Sequence, residues 1–529
     1  MTAKQKKMTR EEQALSEVGQ TDIGPRTAWT MVLVFLALIS LVPLTDAVLQ
    51  WRRGGVAEMR VLDLFRRPPR ISEFTFPIHR EAVAEKNPLH EYERSVEDAS
   101  LIRSACQPRL QELLTRWLHT GNSKVVLGVD DWLFYRPGVD YPAYPGFLSG
   151  SQHQILRRLH ADPRPAIIAF HHACRAAGVR LVLLPIADKS QIHPEKITAR
   201  IAGNQNLENP DFPQWLEELH QQGIEVIPTA PLMHDIARQG PAFLRQDTHW
   251  TPETMTQVAS AVADFLALPP AQVPRAWTSE PLEVSRVGDL VDTLKMPAGQ
   301  TLYRPQTVRI ERVLDATSRA PWQASPDAEV LLLGDSFTNI FTVEKMGWGS
   351  AAGLAPQLAL RLGRDLDVIA MNGGGASQVR QELAQRPAPL AGKKVLIWAF
   401  SARDLAVAEW LTVPMEGGTV VTASASGERT CLLEVLAIST VRPPDAADYP
   451  DALSTILARV IHADGATAEH IRLVVDCMKD FELLPAARLR PGDRLEATLQ
   501  PFTGSEVHRY NDLPSDGSAV WKAKEWKPR

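Results

Sequence analysis

Hydrophobic residues follow three different patterns along the chain, and each pattern predicts a different kind of structure. Ala28–Leu44 is one apolar segment without a charged residue, at the short end of the length that a transmembrane helix needs. Between residues 151 and 413, short continuous apolar runs alternate with amphipathic stretches. Beyond Pro414, strand-like segments are separated by turn residues. We therefore expect a membrane helix, an α/β domain and a mainly β domain, in that order.

The central region predicts a doubly wound parallel α/β sheet. Its apolar runs are continuous, as in strands that are covered on both faces, and helical stretches separate them. Thr251 and Pro252 supply an N-cap and a first helical residue for one of these helices. The predicted strands are Val179–Pro185, Ile224–Pro228, Val330–Leu333, Asp367–Ala370 and Lys394–Phe400, and the predicted helices are Ala166–Ala177, Pro213–Gln222, Met233–Gln239, Glu253–Leu266, Ala355–Leu362 and Gln378–Gln385.

Two further patterns lie on either side of this region. From about Arg80 to His119 the chain predicts helix, because Leu110, Leu113 and Trp117 recur at helical spacing. The segment Ser123–Tyr141 predicts a β-hairpin around a Val-Asp-Asp turn. The strand-like segments of the C-terminal region are Thr419–Ser424, Leu432–Ser439, Ile471–Asp476 and Arg494–Leu499.

The apolar segment near the amino terminus predicts an uncleaved membrane anchor. Trp29 and Trp51 lie where a bilayer's aromatic belt would be, and no small-residue cleavage site follows, which argues against a signal peptide. Arginines flank both ends, so charge alone does not set the orientation. The predicted segments are a terminal tail (1–26), a transmembrane anchor (27–50), a juxtamembrane linker with helices (51–120), the α/β domain (121–413) and a C-terminal β-rich domain (414–529).

Composition excludes several classes of protein. The 529 residues are 44% hydrophobic and 22% charged, as in globular proteins. A formal net charge of −5 gives no reason to expect nucleic acid binding. The four cysteines lack metal-ligand spacing, and we predict no metal site and no cofactor.

The most informative turn in the chain is Gly334-Asp335-Ser336, which follows the apolar run Val330–Leu333. A strand that turns directly into a helix there would place Ser336 at the carboxyl edge of the sheet, where ligands bind in open α/β folds. Its backbone N–H would lie at a helix N-terminus and favour a developing oxyanion. The same three residues also fit an ordinary turn with an N-cap.

Asp247-Thr248-His249 supplies a candidate base for this serine. In an extended segment residues i and i+2 point to the same side, so Asp247 can hold Nδ1 of His249 and leave Nε2 free to take a proton. The alternatives are a turn aspartate beside a loop histidine, or a metal site for which no third ligand has suitable spacing.

Three further candidates are expected at the same sheet edge as Ser336. Asn372 and Gly373 follow the predicted strand Asp367–Ala370 and could complete an oxyanion hole, or they could form a simple turn. Arg403 follows the last predicted strand and could meet a carboxylate or sugar hydroxyls, or pair with Asp404 or Asp365.

Taken together, these motifs resemble the SGNH-hydrolase-like domain of the alginate O-acetyltransferase family of the AlgJ/AlgX type. Their order and spacing over roughly residues 100–410 make the resemblance specific. One departure is Val129-Asp130-Asp131, where the family has Gly-Asp-Gly, and the region after Pro414 is not covered. The matching stretches are GVDDWLFY (Gly128–Tyr135), the LLP, DKS and HPE run (Leu183–Glu195), DTHW (Asp247–Trp250), GDL (Gly288–Leu290), GDSF (Gly334–Phe337) and WAFSARDL (Trp398–Leu405).

The resemblance implies an enzyme in which Ser336 is the nucleophile, His249 the general base and Asp247 its orienting residue. It implies a single-pass protein of the inner membrane with a cytoplasmic tail and a periplasmic catalytic domain. The implied partners are an exopolysaccharide acceptor, a membrane-bound acyltransferase that donates acetyl groups, and other polysaccharide biosynthesis and export proteins. Some family members carry a C-terminal carbohydrate-binding module, although no residue pattern in 414–529 indicates one.

The residues leave two other functions open. The same Ser-His-Asp triad would serve an SGNH-type carbohydrate esterase or deacetylase, because pocket shape and water exclusion decide which molecule accepts the acyl group. A non-catalytic polysaccharide-binding assembly protein is the third alternative.

Overall fold

The computed structural model describes residues 24–55, 59–62, 65, 92–93, 96–97, 100–143, 146–151, 162–201, 207–271, 274–384, 386, 388–415, 429–438, 452–461, 470–479, 482–501, 510–511 and 520–528. The chain divides into two compact units, Met1–Cys106 and Gln107–Arg529.

The predicted membrane segment lies within one long helix, α1 (Pro25–Gly54). Among the described residues, α1 is the one helix that is long and apolar enough to cross a membrane. Its large apolar side chains face outward, and Phe35, for example, is 62% exposed. A helix that is apolar all round needs lipid or protein around it, which agrees with the predicted anchor.

Helix α2 (Leu101–Leu118) confirms the predicted helix before residue 119, but it begins well after Arg80, and residues 66–91 lie outside the described part of the chain. Its apolar stripe faces outward: Leu110, Leu113 and Trp117 are all more than half exposed. The inward face is polar instead. Gln111 is buried and its amide donates to the hydroxyl of Thr115 at 3.0 Å.

The predicted hairpin is present, formed by β1 (Val125–Leu127) and β2 (Leu133–Tyr135) in antiparallel register. Asp130 and Asp131 both take left-handed backbone conformations, with φ of 55° and 61°. Aspartate tolerates this region better than most residues, so the turn accepts two aspartates.

The central region is an α/β unit in which the predicted strands and helices are all found, with ends shifted by a few residues. In chain order its elements are α3 (Arg136–Ala143), α4 (Pro163–Ala176), β3 (Arg180–Ile186), α5 (Lys189–Ile192), α6 (Phe212–Gln221), β4 (Glu225–Val226), α7 (Ala230–Ala237), α8 (Pro252–Leu266), β5 (Trp277–Arg286), α9 (Asp289–Thr293), β6 (Gln306–Asp315), β7 (Val330–Gly334), α10 (Ser336–Asn339), α11 (Leu354–Leu362), β8 (Asp367–Ala370), α12 (Gln378–Ala384), β9 (Val395–Ser401) and α13 (Asp404–Val407).

Five of these strands form one sheet in the order β4-β3-β9-β7-β8, and every pairing in it is parallel. Strand β7 is central and fully buried. Its Leu332 packs into a core cluster with residues of α8 and α11, whereas Leu331 and Leu333 pack into a second cluster with residues of α4 and α6. The predicted parallel sheet is therefore confirmed.

Strands β5 and β6 were not predicted. They pair antiparallel along their whole length, from Trp277 opposite Asp315 to Arg286 opposite Gln306. Most side chains of β5 are exposed or half-buried, so its sequence lacks the apolar run or strict alternation that marks a buried strand.

The C-terminal region is mainly β, as predicted, and closes into a barrel. Going round it, the strands follow the order β10, β11, β12, β16, β14 and back to β10, and only the β12–β16 pair is parallel. This strand order with one parallel pair is that of five-stranded OB-fold barrels. The predicted strand Thr419–Ser424 lies outside the described residues. The strands are β10 (Arg429–Ile438), β11 (Ala452–Val460), β12 (His470–Lys479), β13 (Glu482–Leu483), β14 (Arg494–Pro501), β15 (Tyr510–Asn511) and β16 (Val520–Pro528).

The barrel has an interior core and a buried outer face. Ile456 and Leu473 point into the interior cluster. Leu453 of β11 and Val474 of β12 instead join the cluster that contains Trp410 and the helix-covered face of the parallel sheet. The barrel thus shares a hydrophobic core with the α/β region.

Candidate active site

The turn between β7 and α10 has the strand–turn–helix form predicted for Gly334-Asp335-Ser336. Asp335 caps α10: its carboxylate accepts from the backbone N–H of Phe337 at 2.9 Å and from that of Ser401 at 3.1 Å. Ser336 is the first residue of α10 and is 3% exposed. Gly334 is required by crowding, since a Cβ there would lie 2.1 Å from Oγ1 of Thr338. Ser336 therefore lies at the carboxyl end of the central strand.

Asp247 and His249 face the same side of their segment, as the i, i+2 spacing predicts. Nδ1 of His249 lies 2.6 Å from Oδ1 of Asp247, and the backbone N–H of His249 donates to the same oxygen at 3.2 Å. Both side chains are 1% exposed. Water therefore does not compete for this hydrogen bond, and the carboxylate fixes the orientation of the imidazole.

Partners from distant parts of the chain hold Asp247 in place. Its Oδ2 accepts from the indole N–H of Trp348 at 2.9 Å and from the backbone N–H of Asp289 at 3.0 Å. Its carbonyl accepts from Nζ of Lys189 at 3.0 Å. The sequence-based prediction missed all three roles. Asp289 lies in the GDL motif, which was a signal, whereas Trp348 is 101 residues from Asp247 and has no local signal.

The ionised form of Asp247 and the protonated form of His249 stabilise each other. Burial alone would raise the pKa of Asp247 and lower that of His249, because it disfavours the charged forms. The hydrogen bond and opposite charge outweigh burial in both cases, so the pKa of Asp247 is lowered and that of His249 is raised. Asp247 stays ionised, and a proton taken up by His249 is stabilised.

Nε2 of His249 is buried and has no hydrogen-bond partner among the described residues. The imidazole packs edge-to-face on Phe337, with ring centroids 4.9 Å apart. Phe337 follows Ser336 directly and also contacts Trp250 at 5.3 Å. An aromatic cluster therefore holds the histidine beside the serine turn with one ring nitrogen unused.

Asn372 lies beside α10. The amide of Asn339, the last residue of α10, donates to Oδ1 of Asn372 at 2.9 Å and to the carbonyl of Ala370 at 3.2 Å. Gly373 is exposed and takes a left-handed conformation with φ of 72°. The expectation that these residues share the sheet edge of Ser336 is met, and their place in an oxyanion hole stays a prediction.

Arg403 pairs with Asp188, not with either partner that the sequence suggested. Its guanidinium and its backbone N–H both contact the Asp188 carboxylate, the latter at 3.0 Å. Burial alone would lower the pKa of Arg403, but the charge of Asp188 outweighs it and the pKa is raised. The guanidinium lies over the rings of Tyr135 at 5.1 Å and Phe337 at 6.0 Å, which places it near the serine turn.

A small pocket of about 10 Å³, roughly the space of one water molecule, lies beside Thr248, the residue between Asp247 and His249 in the chain. Its walls combine the aromatic rings of Phe134 and Tyr135 with the side chains of Asp188 and Lys189. It is lined by Phe134, Tyr135, Gly138, Asp188, Lys189, Ser190 and Thr248.

Asp247, His249 and Asp289 are residue types that can bind a metal ion. One atom each of Asp247, His249 and Asp289 lies within 4.8 Å of the others. The two oxygens of Asp247 already accept four hydrogen bonds, however, two at each oxygen. The geometry fits an oriented histidine better than an ion.

Comparison with known proteins identifies relatives of this chain. Residues 125–402 match the family model described as "SGNH hydrolase-like domain, acetyltransferase AlgX". The probable alginate O-acetylase AlgJ of Pseudomonas aeruginosa is 26% identical over 329 residues, which cover 59% of this chain and 78% of AlgJ.

Two solved structures are also similar. The O-acetyltransferase domain of Pseudomonas putida AlgJ is 20% identical, with a TM-score of 0.40, and the match covers 54% of this chain and 94% of that domain. Pseudomonas aeruginosa AlgX is 18% identical, with a TM-score of 0.40 and coverage of 69% and 84%.

Proposed function

We propose that this chain, which belongs to the SGNH hydrolase-like acetyltransferase AlgX family, moves acetyl groups through an ester on Ser336 to hydroxyls of a secreted polysaccharide. The observation that carries the proposal is the buried Asp247–His249 pair: the imidazole packs on Phe337, the neighbour of Ser336, and its Nε2 has no hydrogen-bond partner in the described part of the chain. The relative AlgJ is named as a probable alginate O-acetylase, which supports a polysaccharide acceptor.

The acetyl group would move in two steps. In the first, Nε2 of His249 takes the proton of the Ser336 hydroxyl as its oxygen attacks the acetyl carbonyl of the donor ester. The donor alcohol leaves with that proton, and the acetyl group remains on Ser336. In the second, His249 takes a proton from a sugar hydroxyl, which attacks the acetyl-serine and leaves as the acetylated sugar. Ser336 recovers its proton from His249.

Stabilisation of the oxyanion is assigned to the backbone N–H of Ser336 with the Asn372 amide and the Gly373 backbone N–H. Each such donor is typically worth about 100- to 1,000-fold in rate when it is aimed at the developing charge. Asn372 is supported by its contact with Asn339 at the end of α10. Arg403, held by Asp188, would bind the acceptor sugar.

We place the protein at the inner membrane as a single-pass protein, with α1 as its anchor and the catalytic domain in the periplasm. Secreted polysaccharides are reached from that side, and α1 has the length and apolar surface of a spanning helix. A membrane-bound acyltransferase would supply the acetyl donor, and other polysaccharide biosynthesis and export proteins would deliver the acceptor.

The test measures acetyl transfer from an acetyl ester with and without an oligosaccharide acceptor. Wild type should form an acetyl adduct on Ser336, seen by mass spectrometry, and should pass it to the sugar. Ser336→Ala should lose the adduct and reduce transfer at least about 1,000-fold. Ser285→Ala, which changes an exposed serine on β5, is the matched control and should behave as wild type.

Two outcomes would contradict the proposal. If free acetate is released and adding the oligosaccharide does not reduce that release, the protein is an esterase that uses the same residues. Full transfer activity in Ser336→Ala would remove Ser336 from the reaction and leave the non-catalytic reading of the chain.

A further inference from the structure

The turn Gly288–Leu290 is bound closely to the segment that carries Asp247 and His249. The backbone N–H of Leu290 donates to the carbonyl of Gln246 at 3.2 Å, and that of Asp289 donates to Asp247 Oδ2 at 3.0 Å. Gly288 permits this approach, because a Cβ there would lie 2.1 Å from the Gln246 carbonyl oxygen. Hydrogen bonds therefore tie the two segments to each other.

The side chain of Asp289 also binds the segment that carries Asp247 and His249. Its Oδ1 accepts from the backbone N–H of Thr248 at 2.7 Å and from the Thr248 hydroxyl at 3.2 Å. Its Oδ2 lies 3.8 Å from Nδ1 of His249, on the same side of the ring as Asp247. This distance is too long for a hydrogen bond but short for the interaction of two charges.

We infer that Asp289 is a second carboxylate for the catalytic histidine: one oxygen fixes the Thr248 backbone between the pair, and the other places a negative charge beside the imidazole. The inference rests on the proposed function, in which His249 becomes an imidazolium in each step. The role is one of positioning and charge, because Asp289 touches neither Ser336 nor the Nε2 side of the ring in the contacts described.

Other charged groups around His249 also affect its pKa, and they limit the share that Asp289 contributes. Asp247 and Asp335 also favour the protonated imidazole. The nearby cations include Lys189, with Nζ 3.0 Å from the Asp247 carbonyl oxygen, and Arg403, whose guanidinium lies 6.0 Å from the centre of the Phe337 ring. Burial and the charge of Asp247 raise the pKa of Asp289 itself. One third of its side chain is exposed, so water limits that rise and screens its charge. The effect of Asp289 should thus be moderate, not dominant.

The test removes the negative charge of Asp289 but keeps an oxygen that can accept hydrogen bonds from Thr248. In Asp289→Asn the amide oxygen can still accept from Thr248, whereas the negative charge near Nδ1 is gone. With water-like screening, a unit charge 3.8 Å away shifts a pKa by about 0.8 of a unit. We expect the His249 pKa, followed by NMR of the imidazole, and the acid limb of kcat/KM to move down in pH by that amount. The plateau kcat should stay within about three-fold.

Two further variants separate the effect of the Asp289 charge from that of its hydrogen bonds and of other charges nearby. Asp289→Ala should show the same pKa shift and a further loss of about ten-fold in kcat, because Thr248 also loses its acceptor. Asp292→Asn removes a charge from the same short helix, where Asp292 pairs with Arg286 at 3.3 Å, and should leave the His249 pKa within about 0.2 of a unit.

The inference is overturned if the His249 pKa is the same in wild type and Asp289→Asn. It is also overturned if Asp289→Asn loses activity as Asp289→Ala does without any shift, since the residue would then be only structural. The NMR titration needs no turnover, so it judges Asp289 even if the adduct experiment excludes Ser336.

Discussion

Replacing Asp247 with asparagine is the sharpest perturbation of the site, because the residue fits its surroundings only as a carboxylate. Each of its oxygens accepts two hydrogen bonds: Oδ1 from the backbone and ring N–H groups of His249, Oδ2 from Trp348 and the Asp289 backbone. An asparagine has one oxygen and one NH₂ group. Whichever way it turns, the NH₂ faces two donors.

The less harmful orientation points the amide NH₂ at the ring of His249. Nδ1 must then act as an acceptor, the ring proton moves to Nε2, and the histidine can no longer take a proton from Ser336. In a triad this tautomer change lowers kcat about 10⁴-fold, which corresponds to about 5.5 kcal/mol in the activation barrier. The His249 pKa should also fall, since Asp247 is what raises it.

The assay follows acetyl-Ser336 formation in single turnovers and acetyl transfer at steady state, across pH. Circular dichroism and thermal melting check the fold, because a buried donor-donor mismatch costs about 1–3 kcal/mol of stability. Trp348→Phe is a milder variant for comparison. It removes one hydrogen-bond donor to Oδ2 of Asp247 but keeps the carboxylate, and it should lower kcat by only about ten-fold. A folded Asp247→Asn variant that turns over within ten-fold of wild type would refute the assigned role of Asp247.

Two predictions concern residues whose role is in stability. Arg380 is fully buried, lies 4.9 Å from the centre of the Trp398 ring, and has no partner for Nη1 among the described residues. Burial lowers the pKa of Arg380 to about 9. Arg380→Met should raise the free energy of unfolding by about 1 kcal/mol or more, and a lower melting temperature would contradict this. Gly334→Ala should destabilise the protein by about 1–3 kcal/mol and reduce activity, because the added Cβ would lie 2.1 Å from Oγ1 of Thr338. Urea unfolding compares this variant with Gly240→Ala, where a Cβ would have open space. Equal stability of the two variants would contradict the crowding argument.

Local patterns were sufficient to predict the parallel sheet. The run Val330–Leu333 is apolar at every position because β7 is covered on both faces, and that continuity is visible in the sequence. The Asp-x-His spacing likewise predicted the 2.6 Å contact between Asp247 and His249, since an extended backbone alone places the two side chains together.

What local patterns missed depends on tertiary contacts. Nothing near Trp348 indicates that its indole meets Asp247, because only the folded chain brings the two together. The spacing of Leu110 and Leu113 predicted a helix correctly but not which face would turn inward. The buried face of α2 is fixed by Gln111, whose amide bonds the carbonyl of Thr120 at 3.2 Å across the end of the helix.

The buried outer face of the C-terminal barrel bears on how the protein could hold a polymer. OB-fold barrels commonly bind oligosaccharides on the face of their second and third strands, which correspond to β11 and β12 here. Leu453 and Val474, at most 2% exposed on that face, are packed into the core that contains Trp410. A polysaccharide that reached the barrel would have to bind elsewhere on it, and the barrel should melt together with the catalytic region in a single transition.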